Sequence, residues 1–394
     1  MKQLFSNLLF KVFIAIVLGI LFGLFLPEWI NRIFATFNAF FGQFLNFAIP
    51  LIILGLIMPA ISDLGKGAGK LLLITAAIAY GSTLFSGFMS YFTSSTIFPS
   101  LLASHVNEAA EITDGGKDLV PYFSITIPAV IDVMSALVLA FVIGLGLSYQ
   151  EKSTLKKVVK DFETIIMQVI ENVIIPCLPL FILGIFANMA YSGQVYSILS
   201  VFLNIIGVIF AMHIFLLILQ YVITGAIVKK NPFKLLATMM PAYFTALGTQ
   251  SSAATIPVTL EQAEKNGVSP KIAGFVIPLC ATIHLSGSIM KITACAMALM
   301  ILEGVPFDFG MFAGFIFMLG IAMVAAPGVP GGAIMAAIGI LQSMLGFSEE
   351  MTGLMIALYI AMDSFGTACN VTGDGAIALV VDKITENQEM EAEA

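Results

Sequence analysis

The stretch Ala281-Thr-Ile-His-Leu-Ser-Gly-Ser-Ile-Met-Lys-Ile-Thr293 interrupts an apolar run that extends from Phe275 to Leu302. It contains a histidine, a glycine between two serines, and a lysine. Ionisable residues are costly inside a bilayer and usually mark a functional site there. The stretch therefore predicts a membrane helix that breaks near His284, with Lys291 close to the break.

The composition is that of a helical protein that crosses a membrane many times. Of the 394 residues, 59% are hydrophobic and 10% are charged, whereas soluble proteins carry about 25% charged residues. Apolar runs of roughly 20 residues, the length that crosses a bilayer, recur along the chain. We predict an all-α protein with eight spans, at 8–26, 33–62, 71–93, 123–149, 165–190, 195–228, 270–302 and 350–381.

The distribution of charge predicts the orientation in the bilayer. With the N-terminus in the cytoplasm, nearly all lysines fall in cytoplasmic segments, and the outer segments carry only Arg32 and Lys117, as the positive-inside rule requires. We expect a multi-pass protein of the plasma membrane (the inner membrane of a bacterium) with both termini cytoplasmic. The net charge of −7, with acidic residues concentrated at 108–118 and in the tail 387–394, argues against a nucleic-acid partner.

Two further segments have apolar stretches that are too short to cross the membrane. Segment 233–266 has basic flanks and a polar centre, TQSSAATIP at 249–257, and segment 307–347 has acidic flanks and the centre AAPGVPGGAIM at 325–335. Non-helical backbone is tolerated at membrane depth where protein buries it or where it lines a wet cavity. We therefore predict two re-entrant helical hairpins that enter from opposite faces. The alternative is a pair of amphipathic segments on the membrane surface.

Each predicted hairpin is followed by a span that is interrupted in its middle, at 280–288 and at 366–375. Interrupted segments in corresponding positions of two inverted repeats are typical of secondary transporters and indicate a binding site near the midplane. Freed carbonyls can bind a cation there, and the N-termini of half-helices can face a carboxylate. The pattern predicts a transporter.

Four motifs occur in the order and spacing of one known family. They are TQSSAATIPVT at 249–259, PLCATIHLSG at 278–287, GVPGGAIM at 328–335 and ACNVTGDGA at 368–376. With these motifs the chain resembles the dicarboxylate/amino acid:cation symporter family, which includes glutamate transporters and neutral amino acid exchangers. The resemblance implies a homotrimer, in which a fixed scaffold holds a transport unit that slides as an elevator and uses the two hairpins as gates.

The resemblance also implies how the chain is divided. The implied segments are scaffold spans one and two at 1–66, transport-unit span three at 67–98, an external loop with scaffold spans four and five at 99–190, transport-unit span six at 191–231, the first hairpin at 232–268, broken span seven at 269–304, the second hairpin at 305–348, broken span eight at 349–386 and an acidic tail at 387–394.

Substrate and cation ligands are implied in the same way. Asp363 matches the acid that binds the substrate's ammonium group, and Asn370 matches the amide that binds its carboxylate. The other implied substrate contacts are Gln250, Ser251, Ser252, Ser288, Val329, Gly366 and Thr367. The carboxylate of Asp374 with carbonyls of Cys280, His284 and Asn370 matches one sodium site, and Thr282 with carbonyls around 324–326 matches a second. Hard cations prefer such oxygen ligands. For Asp374 the alternative is a wetted carboxylate at a helix end.

The first departure from the family pattern concerns the substrate's side chain. Members that carry acidic substrates usually place an arginine in the eighth span or at the first hairpin turn, where this chain has Gly366 and Gln250. Arg32 is the only arginine in the sequence, so a bidentate guanidinium–carboxylate contact cannot form at the site. We predict a small amino acid with a neutral or polar side chain as the substrate. A dicarboxylate is the alternative.

The second departure concerns the coupling ion. Family members commonly read N-M-D-G where this chain reads HLSG at 284–287, and that motif builds a third sodium site with help from the third span, here Tyr80, Ser82 and Thr83. Lys291 lies nearly two helical turns after His284. We hypothesise that Lys291, with His284, replaces the third sodium ion and pairs with Asp363. It would then act as a permanent cation or carry a proton; a lysine that snorkels to the interface is the alternative.

Other polar and sulfur-containing residues are interpreted as structural. His213 is expected to be a packed or helix-bonded histidine, and Asp132 is expected to cap the fourth span. The four cysteines lack the spacing of a metal site and are expected to be packing residues without disulfides.

Two other functions fit the sequence less well. An intramembrane serine hydrolase could use His284 with a serine at 251, 252, 286 or 288, but this chemistry needs a hydrogen-bond geometry that spacing cannot establish. A cation-independent exchanger or facilitator of the same fold fits the altered motif at 284–287. We expect a symporter rather than an enzyme, coupled to sodium, protons or both, and without a bound cofactor.

Overall fold

A computed structural model describes residues 8–63, 70–103, 119–150, 153–193, 195–326, 328 and 330–393. All the regular structure in these ranges is helical. Helices α1 to α7 occupy Leu8–Phe25, Glu28–Asp63, Lys70–Leu101, Val133–Ser148, Thr154–Val169, Ile175–Tyr191 and Val195–Val228, and a π-helical turn at Ile170–Ile174 joins α5 to α6. Helices α8 to α16 occupy Pro232–Thr238, Met240–Thr249, Ser252–Lys265, Pro270–Ile283, Ser286–Leu302, Phe309–Val324, Gly332–Leu345, Glu349–Ala361 and Asp363–Glu393.

Several of these helices are suited to a bilayer. Within the described ranges, the stretches that are long and apolar enough to cross it are Glu28–Ser62, Leu71–Leu101, Thr154–Tyr191, Phe202–Val228 and Pro270–Leu302. Helices α15 and α16 pass the same test together and are bent by 60°. Helices α1 and α4, with 18 and 16 residues, are shorter. The multi-pass character is therefore supported, whereas the count of eight spans stays a prediction.

The fourth span begins later than expected. The prediction of a span over 123–149 is wrong for 123–132, because these residues are not helical and α4 starts at Val133. Pro128 in this segment lacks the N–H that a helix would need and disfavours helical geometry in the residue before it. Asp132 caps α4 by accepting a hydrogen bond from the Ser135 N–H at 2.9 Å, as expected.

Helices α1, α2, α4, α5 and α6 pack together: α6 contacts α1 and α2, and α2 also contacts α4 and α5. Small residues let the backbones approach closely, since a Cβ on Gly23 of α1 would lie 2.3 Å from the carbonyl oxygen of Ala187 in α6. Such close contacts of small residues drive helix association in membranes. These are the helices assigned to the scaffold, but its division from a moving transport unit stays a prediction.

Helix α12, which follows the break at His284, is enclosed by other helices. Every residue of α12 from Ser286 to Met300 is buried. Helix α3 runs alongside it, and the hydroxyl groups of Ser86 and Ser90 donate to carbonyl oxygens of α12. Helices α9, α11, α12 and α7 all pack against α16. Lys291 of α12 and the aspartates Asp363 and Asp374 of α16 are therefore enclosed by protein.

Both predicted hairpins have a helix–turn–helix shape. In the first, α9 and α10 pack on each other, and they are joined by Gln250 in the left-handed region (φ 54°) and by Ser251 in an extended conformation. In the second, α13 and α14 pack on each other, and the turn between them includes Ala325, Ala326, Gly328 and Gly331. Neither segment runs straight, although entry from opposite faces of the membrane stays a prediction. The acidic loop at 108–118 and Val329 lie outside the described residues.

One of the two predicted breaks is where it was expected. Helix α11 ends at Ile283, His284 is extended (φ −107°, ψ 99°), and α12 starts at Ser286. The break predicted at 366–375 is wrong, because these residues lie inside α16 and the chain bends at Met362 instead.

The glycines of the 366–375 segment provide space for neighbouring side chains. A Cβ on Gly366, Gly373 or Gly375 would lie under 3.0 Å from Lys291, His284 or Met239, respectively. The shifted break also leaves Asp363 in the first turn of α16, where the helix dipole favours a negative charge.

Candidate functional site

The two hairpin turns meet beside the break between α11 and α12. The hydroxyl group of Ser251 donates to the carbonyl oxygen of Gly328 at 2.7 Å. A Cβ on Gly328 would lie 3.5 Å from the carbonyl oxygen of Ala281 and 3.6 Å from the Cβ of Ala253. The first hairpin, the second hairpin and the broken helix therefore converge at one place, as a site between inverted repeats requires.

Asp363 is held by two donors of the chain itself. Lys291 Nζ donates to its Oδ1 at 2.8 Å, and the N–H of Gly331 donates to its Oδ2 at 2.8 Å. The Lys291 side chain is 0% exposed and that of Asp363 is 5% exposed. The contact expected between these two residues is present, and the burial of Lys291 contradicts the snorkelling alternative.

The ammonium group of Lys291 fills the space beside Gly366. A Cβ on Gly366 would lie 2.8 Å from Nζ and 2.9 Å from Cε of this lysine. Nζ also lies over the Tyr359 ring, 3.4 Å from its centroid, a cation–π contact of about 2 kcal/mol when desolvated. The chain thus has no arginine at residue 366, but α12 supplies a positive charge next to it.

Asn370 connects α16 to the N-terminus of α12. Its Oδ1 accepts from the N–H groups of Gly287 and Ser288 at 2.7 and 3.3 Å, and its Nδ2 donates to Ser288 Oγ at 3.0 Å. Tyr359 donates to the same hydroxyl at 3.3 Å. The amide satisfies N–H groups that a helix start would otherwise leave free. The group implied for the substrate's carboxylate therefore has an internal role in this structure.

The turn of the first hairpin reaches the start of α16. Gln250 Nε2 donates to Ser364 Oγ at 2.8 Å, and both side chains are buried. Ser251 caps α10 by accepting from the Ala254 N–H at 3.2 Å. Thr367 lies one turn after Asp363 and is also buried, so the two residues share a face of α16. The Gln250 amide therefore reaches the residue that follows Asp363, and Thr367 lies one helical turn after it.

The structure brings most of the implied substrate residues together. Asp363 and Gly366 adjoin Lys291, and Ser288 contacts both Tyr359 and Asn370. Thr367 lies on the same helix as Asp363, and Gln250, Ser251 and Ser252 lie at the first hairpin turn. Sequence reasoning missed Tyr359, Gly331 and Ser364. Only Ser364, adjacent to Asp363, had a local signal.

His284 turns its imidazole towards Asp374. Nδ1 lies 2.8 Å from Asp374 Oδ1, and Nε2 lies 3.1 Å from Ser82 Oγ. The side chains of the histidine and the aspartate are 0% and 1% exposed. Residue 284 therefore faces the implied sodium ligand with its side chain. Ser82 of the third span contacts the same imidazole, whereas a role of Ser82 in a third sodium site stays a prediction.

Gln220 of α7 joins this cluster, although the sequence did not indicate it. Its Nε2 donates to Ser82 Oγ at 3.1 Å. Its Oε1 and the Oδ2 of Asp374 are buried and have no hydrogen-bond partner within the described part of the chain. Buried polar atoms are normally satisfied, and two such oxygens suit a hard cation. The cluster therefore fits sodium as a transported ion.

The implied carbonyl ligands of this sodium site fit less well. The carbonyl oxygen of Cys280 already accepts from the His284 N–H at 2.9 Å. Asn370 lies inside the continuous helix α16, where a carbonyl accepts the N–H four residues later. The expectation that the Asn370 carbonyl is freed by a helix break is therefore wrong.

The residues implied for a second cation site all line the same cleft. This cleft has a volume of about 520 Å³ and is bordered by Thr282, Val324, Ala325, Ala326 and Gly328, with residues of α2 and α5 opposite. The Thr282 hydroxyl group donates to the carbonyl oxygen of Leu279 at 2.7 Å, which leaves its lone pairs available. The two halves of the implied site are thus close together.

The order Ser82, His284, Asp374 has the hydrogen-bond pattern of a catalytic triad. Ser82 lies in the middle of α3, where backbone N–H groups are used within the helix and cannot form an oxyanion hole. The serines expected for a hydrolase are at 251, 252, 286 and 288. Within the described residues, the His284 ring is hydrogen-bonded to Ser82 and Asp374 and to none of these hydroxyl groups. The geometry gives no support to hydrolysis.

The remaining polar residues behave as structural elements. His213 Nε2 donates to the carbonyl oxygen of Gly287 at 3.0 Å, so it is the helix-bonded histidine that was expected. All four cysteines are free. In the described ranges, no group of three or more His, Cys, Asp or Glu side chains could hold a metal ion.

Comparison with known proteins decides the family. The model of the sodium:dicarboxylate symporter family matches residues 8–384. The chain belongs to this family. The membership confirms the resemblance that the four motifs indicated, and it places the protein among multi-pass membrane transporters rather than enzymes.

Individual members of the family are similar over most of the chain. The serine/threonine transporter SstT of Acinetobacter baumannii is 28% identical over 398 residues, covering 97% of this chain and 98% of the relative. The protein of the same name from Acinetobacter baylyi is 27% identical over 397 residues, covering 96% and 98%. Human excitatory amino acid transporter 2 is 28% identical over 262 residues, covering 64% of this chain and 44% of the human protein.

Proposed function

We propose that this protein is a secondary active transporter that moves a small amino acid across the plasma membrane in symport with sodium, protons or both. The observation that carries the proposal is the convergence of both hairpin turns on the broken helix and on Asp363, through the Ser251–Gly328 and Gly331–Asp363 contacts. Family membership and the transport functions named for the relatives support the same class.

The substrate's side chain would be neutral or polar. The Gln250 amide contacts the hydroxyl group of Ser364, and Thr367 adds a buried hydroxyl group on the same helix as Asp363. Such groups bind a small polar side chain by hydrogen bonds. The only arginine is Arg32, which is bound to the carbonyl oxygen of Val120. The name of the bacterial relatives, serine/threonine transporters, agrees with this chemistry.

Cation coupling would use the oxygens near His284. The free Oδ2 of Asp374 and Oε1 of Gln220 would bind one sodium ion, and the cleft between Thr282 and 324–326 a second. Lys291, as a permanent cation paired with Asp363, would replace a third. Coupling then falls to two sodium ions or fewer. Elevator motion and a homotrimer complete the proposal by analogy with the family.

A panel of amino acids, added to purified protein with and without sodium, tests this proposal. A ligand at 100 times its Kd stabilises a protein by about 2.7 kcal/mol, so a substrate shifts the Tm. We expect shifts with small neutral or polar amino acids that increase with sodium, and sodium-driven uptake of the same compounds into proteoliposomes. A preference for glutamate or aspartate over every neutral amino acid would refute the substrate class. Equal uptake with sodium and choline at matched pH would refute sodium coupling.

A dicarboxylate substrate is the second candidate, and the position of Lys291 favours it. The Lys291 ammonium group, which lies beside Gly366, could bind the second carboxylate of such a substrate. The charge of Asp363 is already neutralised by Lys291. Competition distinguishes the two candidates. If a four-carbon dicarboxylate displaces labelled substrate better than any amino acid does, the second candidate replaces the first.

A further inference from the structure

The Lys291–Asp363 contact uses the same chemistry as a bound amino acid. A primary ammonium group donates to Asp363 Oδ1 at 2.8 Å, and the α-ammonium group of a substrate has the same three N–H donors. The family assigns this carboxylate to the substrate's ammonium group. Two ammonium groups would therefore compete for one oxygen, since the other oxygen is occupied by Gly331.

The same carboxylate holds the turn of the second hairpin. Gly331 precedes α14 with φ 76°, a conformation that favours glycine, and its N–H points at Asp363 Oδ2 at 2.8 Å. A buried carboxylate is strongly unfavourable without a positive partner. The second hairpin can therefore lie on Asp363 only while a cation, either from the chain or from the substrate, balances its charge.

Charge balance is maintained with and without substrate. Without it, Lys291 neutralises Asp363. A zwitterionic amino acid brings one ammonium group and one carboxylate, so that its ammonium group takes Asp363 and its carboxylate remains as a partner for Lys291. The lysine needs to move only a short distance, because Gly366 leaves room beside it and the Tyr359 ring lies 3.4 Å away. No buried charge is left alone in either case.

We propose that Lys291 takes the place of the substrate's ammonium group at Asp363 when no substrate is bound, so that the second hairpin closes on the empty transporter. This inference rests on the proposed function. An elevator must return with its gates closed in order to perform net uptake, whereas exchange needs only the loaded form to move. Lys291 is therefore a determinant of net uptake as opposed to exchange.

Proteoliposomes with purified wild type and Lys291→Met test the inference. Net uptake down an imposed gradient and exchange against internal substrate are measured on the same preparation. In Lys291→Met we expect the ratio of net uptake to exchange to fall about tenfold or more, because the empty form then leaves the Asp363 carboxylate unpaired.

The matched control is Lys271→Met. Lys271 is exposed at the start of α11, on the same predicted span, and its loss should leave the ratio unchanged. A ratio in Lys291→Met equal to that of wild type overturns the inference. Wild-type protein that neither exchanges nor takes up any amino acid contradicts the proposed function instead, so that the two failures are distinguishable.

Two further measurements decide the matter if Lys291→Met is poorly stable. The first is Lys291→Ala with added ethylammonium, which fits the space left by the lysine and should restore net uptake. The second is the Tm shift in detergent: substrate should raise the Tm of Lys291→Met more than that of wild type, because its ammonium group replaces a missing partner. Equal shifts and no rescue by ethylammonium overturn the inference.

Discussion

Two buried pairs, Lys291–Asp363 and His284–Asp374, lie between the broken helix and α16. They differ in whether the second carboxylate oxygen of the aspartate has a hydrogen-bond partner. In both pairs the nitrogen–oxygen distance is 2.8 Å. Asp363 Oδ2 accepts from the Gly331 N–H, whereas Asp374 Oδ2 has no partner within the part of the chain that the structure describes.

The difference indicates separate tasks. At Asp363 the chain itself satisfies both oxygens, one of them through the turn of the second hairpin, so a ligand must displace an existing donor. At Asp374 one carboxylate oxygen is buried in a polar cluster without a hydrogen-bond partner among the described residues, so a cation can bind it without displacing another group. We infer that the first pair responds to substrate and the second to the coupling ion.

The largest expected effect comes from breaking the first pair. Asp363→Asn leaves the Lys291 ammonium group buried without a counter-charge, and removal of one partner of a buried pair costs about 3–5 kcal/mol. We expect a large fall in Tm and loss of substrate-induced stabilisation.

The double variant Asp363→Asn/Lys291→Met is the control for this loss. It removes both charges, so most of the Tm should return while substrate binding remains absent. If Asp363→Asn alone has the Tm of wild type, the pair does not carry the stability that its burial implies.

The second prediction separates the sodium response from the substrate response. Asp374→Asn removes the negative charge of the carboxylate proposed to bind sodium. We therefore expect sodium no longer to stabilise the protein. Gln220→Leu removes only a neutral oxygen and should weaken the sodium response by a smaller factor. Titration of the Tm with sodium chloride, with choline chloride at equal ionic strength as control, measures both. A full sodium response in Asp374→Asn would show that the ion binds elsewhere.

The sequence predicted those parts of the site in which a polar or charged residue stands alone in an apolar segment. A lysine and an aspartate isolated in apolar spans must be paired, and this predicted the Lys291–Asp363 contact. The small, polar residues at 284–287 predicted the break in the broken helix. Both hairpin turns were recognisable because their polar or Gly/Pro centres interrupt apolar stretches.

Other parts depend on tertiary packing and gave no local signal. Gln220 and Tyr359 sit in apolar helices, and their role depends on which helices pack against them. The glycines at 366–375 were interpreted as a helix break, yet they are spaces for side chains of other helices. Gly331 contributes a backbone N–H, which is independent of side-chain identity and therefore invisible in the sequence.

The smallest expected effect comes from filling the spaces beside Gly366 and Gly373. It compares how easily Lys291 and His284 can move. A Cβ on Gly373 would lie 2.7 Å from Cε1 of the His284 ring, and a Cβ on Gly366 would lie 2.8 Å from Nζ of Lys291. Overpacking a well-filled interior typically costs about 1–3 kcal/mol. The imidazole is rigid and fixed at both nitrogens, whereas the lysine tip can shift at the expense of its contact with Asp363.

We therefore expect Gly373→Ala to lower the Tm more than Gly366→Ala does, while Gly366→Ala has the larger effect on substrate affinity. Gly274→Ala is the matched control, because no atom lies within 4 Å of its added Cβ and alanine favours a helix over glycine by up to about 1 kcal/mol. The reverse order of Tm values would mean that the lysine is held more rigidly than the histidine. In that case its ammonium group could not make way for a substrate.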